Sequence, residues 1–172
     1  MDETKKGFTF IELIVILAIV GLLVAFVFVA LNPTDRLEQA HDAVRQTDVE
    51  KILSALEAYQ ADHEGSDLPT VSALENENVY MIVDGAMAVG CDDQNAACDT
   101  SVTDDTACVD LGELADTYLS VVPVSPSGHV TWDHGSVDGD TGTGYTLQTQ
   151  EGGVIHIRAC ESEATTEIEA SR

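Results

Sequence analysis

The chain has 172 residues and carries 31 acidic side chains against 7 basic ones, a formal net charge of −24. A surface of that sign repels nucleic-acid phosphates and anionic lipid heads, which argues against direct nucleic-acid binding. The aromatic residues, 4 Phe, 4 Tyr and 1 Trp, offer no stacking stripe for bases either, since all the phenylalanines fall in one apolar run.

That run comes first in chain order. Lys5, Lys6 and Gly7 precede the 24-residue segment Phe8–Leu31, whose single charged residue is Glu12. As a helix it reaches about 36 Å at 1.5 Å per residue, enough for a hydrocarbon core of roughly 30 Å. Eighteen of its residues are Leu, Ile, Val or Phe. Their summed insertion energy, on the order of −5 to −11 kcal/mol, exceeds the few kcal/mol that one acid costs. The lysines place Met1–Gly7 in the cytoplasm by the positive-inside rule, and everything after Asn32-Pro33 outside. A cleaved secretory signal fits poorly, because its apolar region is shorter and its cleavage site follows that region. An acid inside such a span is a functional residue by default.

Gly7-Phe8-Thr9-Phe10-Ile11-Glu12-Leu13 resembles the N-terminus of a bacterial type IV prepilin or of a type II secretion pseudopilin. The resemblance is strong over residues 5–33 and continues in element order to about residue 160. It implies that a prepilin peptidase cuts between Gly7 and Phe8 and methylates Phe8 as the new N-terminus. It also makes Glu12 the assembly residue, meeting the Phe8 amine of a neighbouring subunit. A charge pair in low dielectric is strong only with both partners present, and removing one costs about 3–5 kcal/mol. In many relatives a glycine and a later proline bracket a stretch that unwinds in the filament. Here Gly21 is present, but the proline is Pro33, beyond the span.

Beyond Pro33, Leu37, Ala40 and Val44, then Val49, Ile52, Leu53, Leu56 and Tyr59, recur at helical spacing through Asp62, with Thr34 or Asp35 as cap. The expectation is one long helix, membrane half then amphipathic half, its second half packed on a sheet. Gly65 and Pro69 end it, and Thr70–Asn76 adds a further turn or two. Strands are expected at Val79–Val83, Val130–Trp132, Tyr145–Gln150 and Val154–Ala159, the last two joined by a Glu151-Gly152-Gly153 turn. Leu111–Leu119 reads as a short helix, Gly90–Ala107 as a loop, and Glu161–Arg172 as a frayed acidic tail. The fold class is therefore α+β, a long N-terminal helix on a small antiparallel sheet, and by resemblance pilin-like. Its parts are a cytoplasmic leader (1–7), a transmembrane and polymerisation helix (8–33), an extracytoplasmic globular domain (34–160) and the tail (161–172).

Cys91, Cys98, Cys108 and Cys160 all lie on the exported side, where disulfides form. Zinc fits less well, since no C-x₂₋₄-C pair occurs. Three connectivities are open. Asp133, Asp138 and Asp140, on a glycine-rich loop, supply oxygen donors of the kind calcium accepts, and major pseudopilins bind calcium in a comparable loop. The spacing is not that of an EF-hand, so a solvated turn is the expectation, and no cofactor is expected. The five histidines are scattered over unlike elements and no nucleophile or phosphate-binding motif occurs, so the chain does not read as an enzyme. His156, alternating with Ile155 and Ile157, is expected to face solvent.

The resulting expectation is a structural subunit of a type IV pilus or related filament. It would sit in the inner membrane as a single-pass protein with its C-terminal domain outside, then join an extracellular or periplasmic filament. The implied partners are further pilin-family subunits, the prepilin peptidase, the inner-membrane assembly machinery and membrane lipid. A type II secretion pseudopilin is the alternative, and a membrane-anchored binding domain that never polymerises is a further one.

Overall fold

The computed structural model of the protein describes residues 7–84, 108–128, 130–131, 141–165 and 167–172. Two compact units divide the chain, Met1–Leu37 and Glu38–Arg172. The first is dominated by helix α1, Phe10–Leu31, whose large apolar side chains are exposed from Phe10 to Val29. It stops at Asn32, which takes the left-handed conformation (φ 37°, ψ 70°) that Asn tolerates better than most residues. Pro33 then opens helix α2, Pro33–Asp62. Proline cannot donate the next helical hydrogen bond, so the expected long helix is present but interrupted at Asn32.

Helix α2 ends where Glu64 and Gly65 both adopt positive φ and the Gly65 N–H reaches back to the Gln60 carbonyl at 2.8 Å. Pro69 does not end this helix but starts a single turn, α3 (Pro69–Ser72), as proline at a first helical position does. Among the described residues seven strands follow: β1 Val79–Val83, β2 Val109–Asp110, β3 Val130–Thr131, β4 Thr141–Gly142, β5 Tyr145–Thr149, β6 Ile155–Ala159 and β7 Glu169–Ser171. Five form one sheet in the order β2-β1-β5-β6-β7, antiparallel except for β1 with β2, and β3 pairs with β4 separately. Register follows side-chain alternation. Tyr80 pairs with Leu147 and Leu147 with Ile157, all buried in the core with Ile82, Tyr145, Ile155 and Ala159. Val49, Ile52, Leu53, Leu56 and Tyr59 of α2 complete that core. Each aliphatic side chain so buried contributes roughly 1.5–3 kcal/mol.

Three local expectations give way. Leu111–Leu119 forms only a 3₁₀ turn at Gly112–Leu114, because the Asp110 side chain accepts the Gly112 N–H at 2.7 Å and bends the chain there. The early half of α2 turns Leu37 and Val44 outward, 57% and 47% exposed, while Asp42, Arg45 and Asp48 face inward. The tail is not frayed. Ile168 is buried, β7 zips onto β6, and His156 is covered by an ion pair with Glu169 rather than solvated.

The inward charges explain the ordered tail. Arg45 is fully buried and donates to Asp42 at 2.8 Å, Glu163 at 2.6 Å, Ser127 at 2.6 Å and Ser125 at 3.3 Å. Asp42 in turn accepts the backbone N–H groups of Glu163, Ala164 and Thr165 at 3.0, 2.8 and 2.9 Å. Burial pushes the Asp42 carboxyl up, but these three donors and the Thr165 hydroxyl outweigh it and hold the group far below the usual carboxylate range. Hydrogen bonding from Arg45 lowers Glu163 as well. Asp48 accepts from the Tyr145 hydroxyl at 3.0 Å, and burial together with that carboxylate pushes the phenol up.

Two consequences are measurable by thermal melting of the full chain in detergent. Arg45→Ala leaves Asp42 and Glu163 without their buried cation and is expected to destabilise the globular unit by about 3–5 kcal/mol at neutral pH. Because Asp42 and Glu163 bind protons less readily folded than unfolded, their contribution is complete above the unfolded carboxylate range, about pH 4. It is lost as pH falls through their lower folded values. A melting temperature unchanged from pH 6 to pH 3 contradicts this reading.

Candidate processing and assembly site

The start of α1 is built by a capping box. The Glu12 N–H donates to the Thr9 hydroxyl at 3.3 Å, and the Thr9 N–H donates back to Glu12 Oε2 at 2.8 Å. The Thr9 hydroxyl also donates to that oxygen at 2.8 Å. Two otherwise orphaned helix-end donors are thereby satisfied. The sequence carried the signal, Thr-x-x-Glu directly before an apolar run, but reading Glu12 only as a residue awaiting a neighbour passed over it. Its second oxygen, Oε1, has no hydrogen bond among the described residues, so the carboxylate retains one acceptor for an outside cation. Phe8, Ile11, Glu12, Val15 and Ile16 line an open hollow of about 270 Å³ around it.

Gly7 sits one residue before Phe8 in exposed chain, and a Cβ placed on it meets nothing within 4 Å. A Cβ on Gly21 likewise meets nothing within 4 Å. Neither glycine is required by packing among the described residues. From Phe10 onward α1 is long and apolar enough to cross a membrane, and its most apolar window has none of its surface buried within the chain.

The remaining sequence candidates divide. Cys108 and Cys160 are each disulfide-bonded, and Cys160, at the end of β6, is buried. Cys91, Cys98, Asp133, Asp138 and Asp140 lie outside the described residues. Among the described residues, no cluster of His, Cys, Asp and Glu is arranged to hold a metal ion. The cluster that sequence reasoning missed is Asp42, Arg45 and Asp48. Its signal was a run of charges at spacing three, on the face that continues downstream as Val49, Ile52 and Leu56.

The chain thus combines an apolar helix long enough to cross a membrane, a helix-on-sheet globular unit, and a glycine–aromatic–glutamate junction at the start of the apolar helix. Residues 4–28 match the family described as the prokaryotic N-terminal methylation motif. The chain is 35% identical over 74 residues to a type IV major fimbrial protein FimA of Dichelobacter nodosus, covering 43% of this chain and 46% of the relative. A second protein of that name and organism is 36% identical over 80 residues, covering 46% and 50%. The chain thus spans about half the length of the curated relatives it matches. No solved structure matches it. The matches show the methylation motif at residues 4–28 and a similarity to type IV fimbrial proteins over a little under half of this chain.

Proposed function

We propose that the chain is a structural subunit of a type IV pilus, not an enzyme, made as a membrane-anchored precursor and polymerised through α1 without a bound cofactor. The observation that carries this is the junction Gly7-Phe8-Thr9-Phe10-Ile11-Glu12, set before a helix whose apolar surface nothing in its own unit covers. A bare glycine with open space around it needs an explanation from outside the chain. A peptidase that reads a small residue before the scissile bond supplies one. The fimbrial name of the relatives favours a surface fibre over a secretion pseudopilus.

In this reading the prepilin peptidase cuts after Gly7 and Phe8 becomes the methylated N-terminus. The anchor crosses the inner membrane once with the globular unit outside, and the assembly machinery transfers it into an extracellular filament. There the Phe8 amine of one subunit approaches the free Oε1 of Glu12 on another, while Oε2 goes on capping its own helix. Stacked anchors bury the apolar surface that lipid covered before. The four cysteines close disulfides outside the cytoplasm, in a globular unit whose core is small enough to benefit.

Processing is tested by the intact mass of the membrane-extracted protein. The expected species lacks Met1–Gly7 and carries one methyl group on Phe8, and Gly7→Leu is expected to retain the leader. A wild-type chain that keeps Met1–Gly7 in the presence of the peptidase overturns the proposal. Assembly is tested by Glu12→Ala. Insertion should persist, since the span becomes more apolar, and the domain should melt as wild type. The yield of sheared filaments should fall at least about tenfold, because a buried amine left unpaired costs on the order of 3–5 kcal/mol. Filament yield equal to wild type removes Glu12 from assembly.

A further inference from the structure

Cys108 and Cys160 are each one half of a disulfide, and their places on the sheet decide which cysteines they can meet. Cys108 directly precedes Val109, the first residue of β2, which is the margin strand of the five-stranded sheet. Val109 is held there by pairing with Ile82 and by full burial. Cys160 directly follows Ala159, the last residue of β6. Its N–H donates to the Gly144 carbonyl at 2.8 Å, so it still runs alongside the chain that enters β5.

Between these two points stand β1 and β5. The order β2-β1-β5-β6 puts three strand spacings, roughly 14 Å, between Cys108 and Cys160. Cysteines whose Cα atoms lie more than about 7 Å apart cannot be bridged without moving the backbone. Here such a move would pull Val109 or Ala159 out of the core, where both are buried. A bond between Cys108 and Cys160 is therefore excluded by the sheet itself. The chain has 4 cysteines, so the remaining partners are Cys91 and Cys98.

We propose that Cys91 and Cys98 take one partner each, one bonding Cys108 and the other Cys160, so that two bridges tie one short stretch of chain to both sides of the β1–β5 pair. Of the three connectivities open to four cysteines, this removes one. The reach is sufficient, because the seven steps from Cys91 to Cys98 extend up to about 24 Å. The geometry also gives the tie a side to cross. Cys108 and Cys160 are each one step from a core residue, which puts them on the face turned away from α2. On that face Val79, Met81 and Val83 of β1 are buried as well. Each bridge forms as two thiols give up two protons and two electrons to an exchanging protein disulfide outside the cytoplasm, which leaves as a dithiol. The inference rests on the exported placement of the globular unit in the proposed function, and not on polymerisation.

The test is a disulfide map of the full chain extracted from membranes in detergent. Free thiols are alkylated first, and the digest is kept slightly acidic to suppress exchange. Cleavage before aspartate and after arginine puts the four cysteines on separate peptides, residues 84–91, 93–98, 105–109 and 159–172. The expected mass spectrum shows 105–109 joined to 84–91 or 93–98, and 159–172 joined to the other, each pair falling apart on reduction. Residues 105–109 joined to 159–172 overturn the pairing and leave the exported placement intact. A covalent dimer of the chain that disappears on reduction overturns it too. Four alkylated thiols and no linked peptide sink the exported placement together with the pairing.

Discussion

An apolar helix that nothing in its own unit covers is the constraint on which the rest of this protein depends. From Phe10 to Ala30 the side chains of α1 are exposed, and water cannot be their solvent at a cost of about 25 cal/mol per Å². Lipid is one cover and the same helices of other copies are another, and a subunit that moves between the two keeps its apolar surface dry throughout. In the proposed function Glu12 is the feature that tells the two environments apart. Its capping bonds to Thr9 are local, and in the proposed filament its other oxygen would be the one to meet a cation from another chain.

The globular unit solves a different problem. With 31 acids in the sequence it carries strong self-repulsion, yet it buries an arginine and two aspartates on the inner face of α2. Desolvating those charges is costly, and the cost is offset only because every group is satisfied: Arg45 by two carboxylates and two serines, Asp42 by three successive backbone N–H groups. The same bonds draw residues 161–165 onto α2 and set the start of the path that leads to β7. The acidic C-terminus is thereby part of the fold rather than an appendage.

How much of this was legible depended on how local the signal was. The apolar helix, β1, β5 and β6 follow from runs and alternation within a few residues, and their bounds in the structure lie within two residues of those expected. The methylation motif matched at residues 4–28 was legible because it consists of residue types at fixed spacing. The tail was misjudged because acidic composition suggests solvation, while its order comes from Arg45, more than a hundred residues away in sequence. The first half of α2 misled for a related reason. Its apolar residues have helical spacing, but the inward position went to charges that only tertiary partners could satisfy. His156 followed the tail, since alternation placed it on the outer sheet face and only β7 reveals that this face is covered there.

The central claim is that α1 exchanges lipid for copies of itself. Immunogold electron microscopy of material sheared from intact cells, using an antibody against the globular unit, tests it most directly. The account predicts thin filaments labelled along their whole length, with the sheared chains lacking the leader. Chains confined to the membrane fraction, with no labelled filament from cells that carry the peptidase and assembly machinery, would contradict it.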